Sequence, residues 1–197
     1  LGLYDHLGKK EEAFAALEKA HELMPESDRI FFELTQLYKG MNAPLNKRLA
    51  LYKNEEKTVF RRDDCTLQYS VLSTMAGDME KAFDILAEHR FHTYEGGEGY
   101  LTQHHAWLHF LEGRKLLAQK KYKEAEETLI SGLTFPLNYG EEKNYFVNDA
   151  PIYSELAKVY EAQGNNEKRD EYLKLALTTN GAPTVHSYYE LSLIHIS

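Results

Sequence analysis

Two histidines and a glutamate near the middle of the chain have the spacing of ligands on one helical face. His105 and His109 are four residues apart, and Glu112 follows three residues later. Residues three and four apart lie on the same side of an α-helix. Imidazole and carboxylate groups brought together in this way can hold a zinc ion. The chain lacks the HExxH motif of zinc proteases, so a metal site is one interpretation and side-chain packing is the other.

A glycine-rich segment precedes these histidines. Gly96, Gly97 and Gly99 could present backbone N–H groups to an anion at the start of a helix. Glu95 and Glu98 flank the glycines with negative charge, which disfavours phosphate. We therefore predict a loop that needs the backbone freedom of glycine. If this loop binds a ligand, an amine, a sugar hydroxyl or a basic peptide suits its carboxylates better.

The elements that must position these residues belong to a repeat. One leucine recurs in each copy at intervals of 34, 35, 43 and 44 residues: Leu17, Leu51, Leu86, Leu129 and Leu173. This period, with its helix–turn–helix texture, resembles the tetratricopeptide repeat. The resemblance implies an all-α fold, a right-handed solenoid of antiparallel helix pairs, with about four full pairs and partial units at both ends.

Apolar periodicity and turn residues predict the bounds of four helix pairs. Asn42 is expected to cap the second helix of the first pair, and Asp63 or Asp64 the first helix of the next pair. The pairs are predicted at residues 28–39 and 43–53, 63–75 and 79–89, 101–119 and 121–133, and 151–163 and 167–177.

Both ends of the chain resemble truncated units. Residues 1–7 are predicted to be the remnant of a helix whose partner lies within residues 8–25, and residues 186–190 resemble the beginning of a further unit. Residues 191–197 resemble the translated end of a sequencing adapter and are excluded from the fold. The repeat array is therefore assigned to residues 1–190.

The residue at which the two helices of a unit cross differs between units. Ala13, Ala82 and Ala125 are small enough to let two backbones approach closely. Lys47 and Arg169 occupy the equivalent position in two other units. Because these long side chains must extend towards solvent, we predict that their two helix pairs are wider or rotated.

Two insertions lengthen the period by about nine residues each relative to the tetratricopeptide unit. They span residues 90–99 and 134–150 and follow successive units. Packed helices lie about 8–10 Å apart, so we expect the two loops to emerge side by side. Long loops on a rigid scaffold frequently carry function.

The insertions also resemble a narrower family. Residues 90–99, 113–117 and 135–140 are similar to the C-terminal repeat region of large bacterial proteins that carry an N-terminal galactose-mutarotase-like domain of unknown function. That family usually has Trp where this chain has Tyr94. The resemblance implies a sugar-related parent protein, and it supplies no catalytic residue for this repeat region, so we do not expect the chain to be an enzyme.

Candidate binding residues also come from the repeat pattern. Positions 2, 5, 9 and 12 of the first helix line a concave groove in tetratricopeptide proteins, and Trp107, Phe110 and Arg114 take the first three of these positions. Lys158 takes the third in the next unit. Trp and Arg are enriched in binding hot spots. The alternative for Trp107 is packing beneath the first insertion.

These features predict a non-catalytic interaction module. It would bind a peptide, or the N-terminal domain of its own parent protein, through the groove and the two insertions. The predicted contact residues are His92, Tyr94, Glu95, Glu98, Trp107, Phe110, Arg114, Asn138, Tyr139 and Tyr145.

Two other functions compete with this prediction. In a carbohydrate-binding accessory region, three tyrosines would stack on sugar rings and three polar side chains would bind hydroxyls, namely Tyr94, Tyr139 and Tyr145 with Glu95, Glu98 and Asn138. A metal-dependent enzyme would use the histidine cluster. Because His109 and Glu112 fall at positions that face the partner helix in this repeat, we favour a packed histidine hydrogen-bonded to Glu112, and predict no metal and no other cofactor.

Charge and cysteine content restrict the partners. The formal net charge is −8, which opposes broad attraction to nucleic acids and anionic membranes. No apolar run approaches the length of a membrane helix. Cys65 is the single cysteine, so no internal disulfide can form. This is compatible with a reducing compartment, and we favour the cytoplasm.

Overall fold

The computed structural model describes residues 9–144 and 147–179, and all regular structure in these ranges is helical. The predicted all-α fold of antiparallel helix pairs is confirmed in this part of the chain. The chain divides into two compact units at His89 and Arg90. None of the described helices is both long and apolar enough to span a membrane.

The described part of the first unit, residues 9–89, contains six helices around an aromatic core. Phe31 packs edge-on against Tyr52 with ring centroids 5.2 Å apart, and Tyr52 packs against Tyr69 at 5.7 Å. Val59 and Leu72 are fully buried beside them. The helices are α1 (Lys10–Leu23), α2 (Asp28–Gly40), α3 (Leu45–Asn54), α4 (Glu56–Val59), α5 (Asp63–Met75) and α6 (Met79–Glu88).

In the second unit, residues 90–144 and 147–179 form four α-helices and one 3₁₀ helix. Its core is aliphatic, with Leu129, Ile152, Leu156 and Val159 almost entirely buried. The elements are α7 (Tyr100–Ala118), α8 (Tyr122–Ser131), a 3₁₀ helix (Leu137–Tyr139), α9 (Ala150–Ala162) and α10 (Asn166–Thr178).

Helix bounds follow the predictions closely, but two of the predicted caps are wrong. The helix after Asn42 begins later, with Pro44 as its N-cap, because Asn42 adopts a left-handed backbone with φ of 57°. Asp63 and Asp64 lie inside the first turn of α5, and Arg62 is the N-cap. The sequence analysis also missed α4 and the 3₁₀ helix, each too short to show a period.

The helix crossings confirm one prediction and overturn another. The ammonium of Lys47 lies over the rings of Phe14 and Tyr38, and α2 and α3 are the least closely packed of the predicted pairs. The prediction for Arg169 is wrong, because α9 and α10 are the most closely packed pair. The Arg169 side chain extends along its own helix to Asn166 and Asp170 and leaves the crossing clear.

Several predictions fall outside the described residues. They are the helix remnant at 1–7, the candidate contact Tyr145, the start of a further unit at 186–190 and the adapter-like tail at 191–197.

Candidate functional site

The histidine face of α7 joins this helix to the C-terminal end of α8. The Nε2–H of His105 donates to the carbonyl of Ser131 at 3.1 Å, and the Nδ1–H of His109 donates to the carbonyl of Thr128 at 2.9 Å. The two imidazole centroids are 4.3 Å apart. Among the described residues, no group of three His, Cys, Asp or Glu side chains could hold a metal ion.

Burial keeps both imidazoles uncharged. Desolvation lowers the pKa of His105, and it lowers the pKa of His109 to about 3, with a smaller contribution from the neighbouring imidazole of His105. The carboxylate of Glu112 pairs with Lys115 at 3.0 Å. The histidines therefore pack in the seam between α7 and α8, and the hydrogen bond of a histidine to Glu112 stays a prediction.

The second insertion is anchored to this seam by Tyr139. Because Nε2 of the neutral His105 carries the single proton, Nδ1 accepts the hydrogen bond of the Tyr139 hydroxyl, at 2.7 Å. Tyr139 is only 2% exposed. This predicted contact residue therefore lies inside the insertion and offers no ring face to a ligand in solvent.

The two insertions lie side by side, as predicted. The backbone N–H of Phe91 in the first insertion donates to the carbonyl of Asn138 in the second at 2.8 Å. The ring of Phe91 also meets Tyr139 edge-on, with centroids 5.9 Å apart. Asn138 itself is half-buried.

The glycines of the first insertion serve this packing. Gly99 has a φ of +80°, and a Cβ there would lie 2.7 Å from the Asn144 side chain. The N–H of Gly99 donates to Oε2 of Glu141 at 3.2 Å. The N-terminus of α7 is thus occupied by a carboxylate from the second insertion, which supports the conformational role of the glycines over an anion site.

The exposed side chains of the two insertions form what we call the insertion surface. Of the predicted contacts, His92, Tyr94, Glu95 and Glu98 are exposed. We add two large apolar residues that were not predicted: Leu137 in the second insertion, which is 100% exposed, and Tyr100, the first residue of α7, which is 55% exposed. The insertion surface is therefore defined as His92, Tyr94, Glu95, Glu98, Tyr100 and Leu137.

A second surface lies where α7 meets α9, and we call it the α7–α9 face. Trp107 stacks on Phe110 with centroids 5.0 Å apart and an interplanar angle of 24°. The guanidinium of Arg114 lies 5.2 Å from the Phe110 ring centroid. Phe110 is 3% exposed, so it supports Trp107 and Arg114 from below. The members of the face are Trp107, Phe110, Arg114, Glu155 and Lys158.

Glu155 holds the two cations of the α7–α9 face. Its carboxylate accepts a hydrogen bond from the Lys158 ammonium at 2.6 Å and lies 3.8 Å from Nε of Arg114. The Glu155 side chain is 6% exposed, whereas those of Arg114 and Lys158 are 49% and 55% exposed. The sequence analysis missed Glu155, although its charge within the apolar stripe of α9 was a usable signal.

Comparison with known families finds a match within the second unit. Residues 150–182 match the tetratricopeptide repeat family. The described part of this segment is one helix pair, and Lys158 is the ninth residue of its first helix, α9. In the repeat spacing, Arg114 is the counterpart of Lys158 in the preceding pair, 44 residues earlier.

Solved tetratricopeptide-type structures share this fold. MamA is similar with a TM-score of 0.56 and 15% identity, covering 88% of this chain and 90% of that chain. YrrB, described as a tetratricopeptide protein with an unusual peptide-binding site, has a TM-score of 0.54 and 15% identity, covering 89% and 80%. PilF of Pseudomonas aeruginosa has a TM-score of 0.51 and 18% identity, covering 90% and 72%.

Proposed function

We propose that this chain is a non-catalytic protein-interaction module. It binds a peptide, or the N-terminal domain of its own bacterial parent protein, through the α7–α9 face and the insertion surface. The observation that carries the proposal is the α7–α9 face itself, in which exposed cationic groups are held by a buried carboxylate beside a stacked aromatic pair.

The α7–α9 face has the chemistry of a binding hot spot. Trp107 is half-buried against the core of the second unit, and stacking on Phe110 fixes the orientation of the indole, whose exposed part is apolar. Arg114 is fixed by both Phe110 and Glu155, so less conformational entropy is lost when a ligand binds it. Because two cations surround one carboxylate, the face suits a peptide that carries an apolar side chain and an acidic group.

The insertion surface supplies a second contact area on a supported loop pair. Tyr100 and Leu137 expose large apolar groups, and Glu95 and Glu98 add negative charge. Loops held by hydrogen bonds to each other keep their shape before binding, which favours a protein partner. A basic or amphipathic segment suits this surface.

A carbohydrate-binding accessory role is the weaker proposal. It needs several exposed aromatic rings, and Tyr139 is buried against His105 and Phe91. The ring of Tyr94 lies against Gly97, and 37% of the residue is exposed. Calorimetric titration with a panel of oligosaccharides tests this role, and heat that disappears in Tyr94→Ala would favour it over peptide binding.

The peptide-binding proposal is tested by selecting ligands for the purified chain from a phage-displayed library of random peptides. The Kd of a selected peptide is then measured by calorimetry for the original chain, Trp107→Ala and Arg114→Ala. We expect each substitution to raise the Kd by about tenfold or more, because both side chains are hot-spot types.

The matched control is Lys123→Ala. The Lys123 side chain lies on α8, is 85% exposed and belongs to neither proposed surface. Its Kd should stay within about twofold of the original value. The proposal fails if no peptide is enriched, or if the selected peptides bind Trp107→Ala and Arg114→Ala as tightly as the original chain.

A further inference from the structure

We propose that His105 is an acid-sensitive anchor for the second insertion: the neutral imidazole holds residues 134–144 against α7, and protonation of the imidazole releases them. Here "released" means that the segment leaves the imidazole and exposes it to water while the α7–α8 pair stays intact. The proposal starts from the two hydrogen bonds of His105, to Ser131 and to Tyr139.

The hydrogen-bond pattern requires a neutral imidazole. A carbonyl can only accept, so the Ser131 contact fixes the proton on Nε2 and leaves the lone pair on Nδ1 for the hydroxyl of Tyr139. A second proton on Nδ1 removes that acceptor. The hydroxyl of Tyr139 could then only accept, and its own proton would be left without a partner in a buried position.

The two sides of the imidazole respond differently to a positive charge. On the α8 side, His105 meets the carbonyl of Ser131 at the C-terminal end of the helix, where a cation is stabilised. On the insertion side it meets the rings of Phe135 and Tyr139, with centroids 5.2 and 5.3 Å away. These rings exclude water, and the buried Tyr139 hydroxyl can accept from a protonated Nδ1 only by leaving its own proton without a partner, so the insertion is the side that protonation displaces.

The titratable neighbours reinforce this direction. From α7, the imidazole of His109 lies 4.3 Å away and opposes a second charge. From the insertion, Tyr139 faces His105 through its hydroxyl. From α8 and from the first residue of the insertion, the facing groups are the backbone carbonyls of Ser131 and Thr134, which together raise the pKa of His105 by less than burial lowers it. Burial dominates the lowered pKa of His105, so a proton binds more strongly once the insertion has moved away.

The anchor is tested by hydrogen exchange, read by mass spectrometry on the full chain from about pH 7.5 to about pH 4 and corrected for intrinsic exchange rates. Residues 134–144 should lose protection at a higher pH than α9 and α10, by about tenfold or more in exchange rate. The proposal is overturned if residues 134–144 keep their protection until α9 and α10 lose theirs.

Substitutions assign the effect to His105. In His105→Gln an amide can still donate to Ser131 and accept from Tyr139 but cannot be protonated, so the early loss of protection should disappear. His109→Gln, one turn along the same helix, should retain it. An early loss that persists in His105→Gln contradicts the proposal.

A spectroscopic measurement removes any dependence on how the variants fold. Long-range ¹H–¹⁵N spectra of the original chain report the tautomer of each histidine. We expect the Nε2–H form of His105 near neutral pH, and the Nδ1–H form would overturn the anchor. Acid release of a partner from the insertion surface rests on the proposed function, but exchange and tautomer are measured without any partner, so the two proposals fail separately.

Discussion

In the first unit, tyrosines on α2 and α5 each connect three helices through charged partners, whereas in the second unit the α7–α8 pair is joined by neutral histidines. The hydroxyl of Tyr69 donates to Glu56 at 2.7 Å, and Lys81 contacts both Glu56 at 2.8 Å and the Tyr69 ring at 5.3 Å. Tyr38 makes a similar set of contacts with Glu18 and Lys47.

This Tyr–Glu–Lys contact also occurs at the end of the second unit, where Tyr160 donates to Glu126 and lies beneath Lys168. The α7–α8 pair differs because its linking groups bond to backbone carbonyls at the end of a helix. We call the α7–α8 pair, which lies next to the insertions, the modified pair. Its stability depends on uncharged linking side chains, whereas the stability of the pairs with Tyr–Glu–Lys contacts depends on charged ones. Acid should therefore affect the two kinds of pair over different pH ranges.

The largest expected loss of stability comes from adding a methyl group where α7 and α8 cross. In Gly113→Ala the new Cβ would lie 2.5 Å from the fully buried Leu129, so we expect a loss of about 1–3 kcal/mol in the free energy of unfolding. Gly40→Ala in the first unit is the matched control. Its Cβ meets nothing within 4 Å, so chemical denaturation should show no loss. Equal destabilisation by the two substitutions would contradict the close crossing at Gly113.

As the pH falls, the two kinds of helix pair should lose stability over different pH ranges. The pKa values of His105 and His109 are lowered on folding, so their contribution is complete above about pH 6.5 and declines as the pH falls, towards about 3 for His109. The decline is at most about 1.4 kcal/mol per pH unit for each histidine.

The carboxylate of Glu56 titrates at a lower pH than the pH at which the histidine contribution begins to decline. Its pKa is lowered from 4.5 by its hydrogen bonds to Lys81 and Tyr69, so its contribution is present above that pH and is lost only as the pH falls through the lowered value. The free energy of unfolding of the original chain, measured by denaturant titration, should thus fall between about pH 6.5 and 4.5. His109→Gln should reduce the slope of this fall with pH. A slope unchanged by His109→Gln would show that other groups control the acid response.

The smallest effects concern the Tyr–Glu–Lys contacts. Tyr69→Phe and Tyr160→Phe each remove one hydroxyl that donates to a carboxylate, at an expected cost of about 0.5–1.5 kcal/mol. The ring remains in place beneath its lysine, so the loss should be similar in the two units when measured by thermal unfolding. A large difference between the two variants would show that the contacts are not equivalent.

Much of the scaffold was predictable because its determinants are local. The leucine spacing and the glycine turns at Gly77 and Gly164 predict the helix pairs, and both glycines have a positive φ. The insertions and their adjacency also follow from the spacing. Periodicity alone did not distinguish Leu129, which is fully buried, from Leu173 at the same repeat position, which is 43% exposed.

The candidate site was less predictable because its contacts join residues far apart in sequence. Tyr139 is of a residue type that often stacks on ligands, but its hydrogen bond to His105, 34 positions earlier, holds it in the interior. Gly99 and Glu141 meet across 42 positions. Arg114 was predicted from its place in the repeat, whereas its pairing with Glu155 becomes evident only when α7 and α9 are seen together.

The central claim is that a partner binds the second unit through the α7–α9 face. The most direct test is a titration of the isotopically labelled chain with a library-selected peptide, followed by ¹H–¹⁵N spectra. The largest shifts should occur at the indole N–H of Trp107, the guanidinium of Arg114 and the backbone of Lys158, with little change in residues 9–89. Shifts concentrated in the first unit, with Trp107 unchanged, would contradict this claim.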